Sequence, residues 1–160
     1  MGIVAFNWAE EDNNQLTLVM NRESGEGERD ITGTFWEGNI FCCRFEANFG
    51  TWYGITKRGR FAFLLSSWSY ERFDSDEGDL YPTDFLEGNM TPQEFADHMA
   101  QSDGYDGLDY RLIVGVMNLN SMVYISKPDE DEPNVQIQPF PFGVHTLSTK
   151  GGSIPQNITG

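Results

Sequence analysis

Leu16-Thr17-Leu18-Val19-Met20-Asn21-Arg22-Glu23 reads as an apolar strand that delivers Asn-Arg-acid onto a loop. A first strand-like run, Ile3 to Trp8, precedes it, and the polar segment Ala9 to Asn14 makes the two a hairpin. The first run is almost wholly apolar, which predicts a strand covered on both faces. Polar groups set just after a buried strand are held by a rigid scaffold, so Asn21, Arg22 and Glu23 form the first candidate site. Two further runs follow in order, Gly50-Thr51-Trp52-Tyr53-Gly54-Ile55 and Gly59-Arg60-Phe61-Ala62-Phe63-Leu64.

Beyond the first hairpin, Arg22 to Gly33 is a glycine-bearing loop whose far end Trp36 is expected to pin. Ile40 to Phe45, Thr51 to Thr56 and Phe61 to Ser67 read as strands, the last two joined by the tight turn Lys57-Arg58-Gly59-Arg60. Trp68 to Thr83 is a polar, acidic connection. Thr91-Pro92-Gln93-Glu94 then opens a helix to about Gln101: Thr91 caps, Pro92 sits where its missing N–H costs nothing, and Glu94 closes a capping box. Phe95, Ala96 and Met99 face inward. Tyr110 to Met117 and Met122 to Ser126 make a second hairpin, and Val135 to Gln138 and Val144 to Leu147 complete the strands. The pattern predicts an α+β fold with mainly antiparallel β-sheets and a flanking helix, as one domain over residues 1–148 with a flexible tail at 149–160.

The composition excludes several partners. A net charge of −15, from 25 acidic against 10 basic residues, repels phosphate backbones and anionic lipid, so no nucleic acid is expected. No apolar stretch is long enough for a transmembrane segment, and the start lacks the pattern of a secretory signal. Cys42 and Cys43 are strand neighbours expected to point to opposite faces, sharing neither a metal nor a bond, which suits a reducing, cytoplasmic setting. No spacing of ligands suggests a metal site.

Taken in order, these runs resemble the Transport and Golgi organisation 2 family, also called the NRDE family after its signature, here Asn21-Arg22-Glu23-Ser24. The resemblance continues through Trp36-Glu37-Gly38, Gly50-Thr51-Trp52, Gly59-Arg60-Phe61, Met90-Thr91-Pro92, Met122-Val123-Tyr124-Ile125-Ser126 and Gly143-Val144-His145, and is plant-like in the helix opening and the Tyr-Ile-Ser strand. It implies an αββα sandwich like that of N-terminal-nucleophile hydrolases, and a role in Golgi organisation and protein secretion, with possible sites of action in the cytoplasm and at the Golgi. Family members usually begin Met-Cys, where the terminal amine can serve as base for its own thiol. This chain has Gly2, so the implied product is a pseudoenzyme, with no catalytic residue. The signature's second acid is also lost, to Ser24. Most members continue well past residue 160, so the expectation is a short or truncated copy of the family fold.

Each candidate residue carries two readings. Asn21, Arg22 and Glu23 either bind a ligand or partner, Arg22 offering a planar fork to an anion, or shape their own loop. Thr51 and Trp52 either line that site or pack the core. His98 reads as a surface residue of the helix. His145 is either a haem ligand, family members having been linked to haem trafficking, or a hydrogen-bonded strand histidine. Three functions follow: a non-catalytic family member that binds a protein partner or small ligand, a haem or hydrophobic-ligand carrier, and a residual amidohydrolase.

Overall fold

The computed structural model describes residues 3–10, 14–21, 32–46, 49–68, 80–102, 109–127 and 134–148. Alternating side chains sort its strands into two sheets of unequal width, with every pairing antiparallel. The narrow sheet joins β1 (Ile3–Trp8), β2 (Leu16–Asn21) and a late strand, β10 (Gly143–Ser148), in the order β10-β1-β2. The wide sheet runs in sequence order through β3 (Phe35–Glu37), β4 (Ile40–Cys42), β5 (Tyr53–Thr56), β6 (Arg60–Trp68), β7 (Asp109–Val116), β8 (Ser121–Lys127) and β9 (Gln136–Pro139). The hairpin anticipated at the start is therefore real, while the last two strands lie in different sheets.

Both faces of the wide sheet are apolar, and each is covered differently. On one, α1 (Tyr81–Glu87) and α2 (Pro92–Gln101) bury Phe85, Phe95 and Met99 against Leu64, Leu112 and Ile125. On the other, Val4, Phe6 and Trp8 of β1 meet Phe61, Phe63 and Ile113. Each fully buried large side chain contributes roughly 1.5–3 kcal/mol. The described residues thus build three layers, helices, wide sheet and narrow sheet. The second helical layer of an αββα sandwich is not found among them. That corrects the reading of β1: Val4, Phe6 and Trp8 are buried, but Ile3 and Asn7 are exposed, because nothing described covers the narrow sheet's outer face.

Local chemistry explains the helices. Thr91 Oγ1 accepts from the Glu94 N–H at 3.2 Å while the Glu94 carboxylate accepts from the Thr91 N–H at 2.8 Å, the reciprocal capping box anticipated from the sequence. Phe95, Ala96 and Met99 are buried and His98 is exposed. Helix α1 was not anticipated, since it starts at Leu80 without a side-chain cap. Its far end is held from the sheet instead. The Arg60 guanidinium donates to the Phe85 carbonyl at 2.7 and 3.1 Å and to the Met90 carbonyl at 2.9 Å, lying 4.1 Å over the Phe85 ring. Strand β3 was also missed; Trp36 sits in it, exposed, and most of the loop it was expected to pin lies outside the described residues.

One glycine governs how closely the two sheets pack. Phe61 lies directly opposite Gly115 on β7, and a Cβ at Gly115 would fall 2.1 Å from the Phe61 ring. The ring therefore spreads over the bare backbone, where it meets Trp8 edge-on at 5.7 Å. Gly115→Ala is expected to destabilise the chain by about 1–3 kcal/mol through overpacking, and Phe61→Leu in the same chain to restore part of that loss, as read by urea unfolding.

Candidate functional site

The narrow sheet spans only part of the wide sheet's face, and an open cleft of about 360 Å³ lies along its β2 border. Leu16, Leu18 and Met20 form one wall, and Tyr53, Ile55, Phe63 and Met117 the other. The alternation of β2 places those three side chains inward and Thr17, Val19 and Asn21 outward. The inward three are only half-buried, unlike their β1 counterparts, because the cleft opens beside them. Gln15 fixes one end: its amide donates to the Met117 carbonyl at 2.9 Å and to Asn120 Oδ1 at 2.8 Å. At the rim the Thr34 and Tyr53 hydroxyls bond each other.

Beyond the cleft, the same face of the wide sheet continues outward as a row in register. Phe61 pairs with Ile55, Ile55 with Phe41, and Phe41 with Trp36. Burial falls along the row, from Phe61 at 0% exposed, through half-buried Ile55 and Phe41, to Trp36 at 52%. The Trp36 and Phe41 rings touch at 5.1 Å, and Lys57 Nζ lies 5.2 Å over Trp36.

The residues singled out from the sequence fall in different places. Asn21 ends β2, exposed and opposite Ile3, while Arg22, Glu23, Ser24 and Gly2 lie outside the described residues. Thr51 is fully buried, and its hydroxyl donates to the Tyr53 carbonyl at 2.7 Å, shaping the turn into β5. Trp52 lines the cleft and donates its indole N–H to Cys43 Sγ at 2.8 Å. Thr51 and Trp52 are thus brought together beside the cleft, with Trp52 alone reaching it.

His145 is 1% exposed, held between the Phe6 and Phe140 rings at 5.1 and 4.9 Å, with Nε2 bonded to the Pro141 carbonyl at 2.8 Å. It does not line the cleft. Its Nδ1 is buried without a hydrogen-bond partner among the described residues, but a haem could reach either ring nitrogen only if His145 left its place between the two rings. Among the described residues no group of three His, Cys, Asp or Glu side chains could hold a metal, and no helix is long and apolar enough to cross a membrane.

Sequence reasoning missed the cleft walls, although the alternation of Leu16, Leu18 and Met20 was the available signal. It also missed Arg44, a buried guanidinium bound to Glu37 at 2.7 Å, to the Phe49 carbonyl at 3.0 Å and to the Thr83 hydroxyl at 2.9 Å. Those contacts tie β3 to the start of α1, a structural role.

Fold and cleft define an α+β protein with two antiparallel sheets and an apolar opening between them. The chain belongs to the Transport and Golgi organisation 2 family, whose model matches residues 1–156. Comparison with curated proteins finds no match.

Both cysteines are buried and free. Burial, the largest influence, pushes the Cys42 thiol up; Arg44 opposes it, and Glu37, Cys43 and Glu87 add to it. The folded chain therefore holds that proton more tightly than the unfolded chain. The resulting stability is complete below the ordinary thiol pKa and is lost as pH rises through the alkaline range. The stability gap between the native chain and Cys42→Ala should narrow above about pH 8.5, measured by urea unfolding at neutral and alkaline pH.

Proposed function

We propose that this chain is a non-catalytic member of its family that works by holding an apolar small ligand or partner segment in the intersheet cleft. Its role in this reading is in Golgi organisation and protein secretion, exerted from the cytoplasm. The observation that carries the reading is the cleft's lining. Leucine, methionine, isoleucine and aromatic side chains dominate it, and among the described residues its lining includes no cysteine, serine, threonine, histidine or carboxylate. Such walls favour apolar matter by removing its surface from water, and the hydroxyl they do carry, on Tyr53, is engaged by Thr34. Gly2 supports the same reading, since it supplies no side-chain nucleophile at the position where family members usually carry cysteine. Residual amide hydrolysis would need a nucleophile from elsewhere, and the buried, proton-retaining Cys42 is ill suited to that task.

The test uses the fluorophore 8-anilino-1-naphthalenesulfonate, which brightens in apolar surroundings. The native chain is expected to bind it, and Leu18→Glu to weaken binding by about tenfold or more, because a carboxylate would have to be desolvated in the cleft. Thr17→Glu, on the opposite face of the same strand, should bind as the native chain does. Restoration of secretion in depleted cells should follow the same order. Equal binding by all three chains, or turnover in an amide-substrate screen, would contradict the reading. Haemin added to the native chain should give no Soret shift that His145→Ala removes.

A further inference from the structure

We propose that the cleft receives a β-strand from a partner protein: an extended apolar segment that pairs with the free edge of β2 and ends in an acidic residue. This inference rests on the binding reading above and names the occupant. Three observations converge on it. Strand β2 borders the narrow sheet, and among the described residues no strand pairs with its outer edge. An edge left unpaired among the described residues offers backbone hydrogen bonds that select an extended chain over a compact ligand. Below that edge, the row Ile55, Phe41 and Trp36 continues the wide sheet's apolar face to where a fourth strand of the narrow sheet would lie. Alternate side chains of an added strand would point onto that shelf, and those between them would face water.

The third observation is charge. The chain carries −15 overall, yet three of its ten basic residues fall at the junction of β5 and β6, Lys57 and Arg58 in the turn and Arg60 at the start of β6. Arg60 is taken up by α1. Lys57 lies on the Trp36 ring, and exposed Arg58 has no hydrogen bond or ion pair among the described residues. This turn adjoins the Leu16 end of the cleft: Gly59 accepts the Met117 N–H at 2.9 Å, and Met117 and Ile55 both line the cleft. Strand β2 runs away from the turn. A partner in the more stable antiparallel sense therefore ends at it, which places the partner's acid at its C-terminal end.

The probe is an acetylated peptide of alternating threonine and leucine, matched in length to β2 and ending in aspartate. It is titrated calorimetrically into the full chain, with amide hydrogen exchange recorded over Leu16–Asn21. Binding with slowed exchange in β2 is expected. Lys57→Glu combined with Arg58→Glu should weaken it about tenfold. Moving the aspartate to the N-terminal end should weaken it similarly, and N-methylation of alternate amides, which spares the side chains, should abolish it. Equal binding by the N-methylated peptide would overturn strand addition. So would failure of every peptide while the fluorophore still binds, which would leave the apolar cleft standing as a small-molecule site. Failure of both probes would remove the cleft reading as well.

Discussion

The structure depends on a mismatch of widths: a narrow sheet packs on one much wider than itself. Two of its three strands, β1 and β10, bury their inward side chains against the centre of the wide sheet, where Gly115 lets Phe61 lie close enough to meet Trp8. Packing there is tight because the backbone is bare at one point. Toward β4 and β3 the wide sheet runs out from under its cover, and the same apolar face becomes a wall of the cleft and then an exposed shelf. Covered and uncovered surface are parts of one hydrophobic row, so the opening follows directly from strand number.

This arrangement separates stability from recognition. The helix-side core holds the wide sheet rigid, with Arg60 and Arg44 tying α1 to the strands through backbone and side-chain oxygens. Both arginines are engaged inside the fold and leave the cleft apolar. The chain belongs to the Transport and Golgi organisation 2 family, and in the reading advanced here its cleft binds rather than reacts. The thiols fit the same picture, because burial favours the protonated form of Cys42 and Trp52 occupies Cys43 with a hydrogen bond.

Much of the fold was legible in the sequence. The β1–β2 hairpin, the meander around Gly59 and the capping box at Thr91 each rest on local chemistry, and local chemistry is what a single sequence displays. The assignment of β9 and β10 to different sheets was not legible, because strand periodicity carries no information about which sheet a strand joins. Helix α1 escaped because its end is secured by Arg60 from distant β6 rather than by a cap of its own. The almost wholly apolar β1 suggested two covered faces, whereas one face of it is open, and composition alone cannot tell a covered face from a bare one. The site was half legible. Trp52 does reach the cleft, yet Thr51 serves its own turn, and the walls come from ordinary leucines whose significance lies in what fails to cover them.

The central claim is that the inward face of β2 is open to solvent while that of β1 is sealed. Thiol labelling tests it directly, since both native cysteines are buried and give little background. Leu18→Cys and Phe6→Cys, each made in the folded full-length chain, would be exposed to a maleimide under native conditions. The account predicts rapid labelling at position 18 and protection at position 6 until the chain unfolds. Equal protection at both positions would show that the narrow sheet is closed along its whole width, and would contradict it.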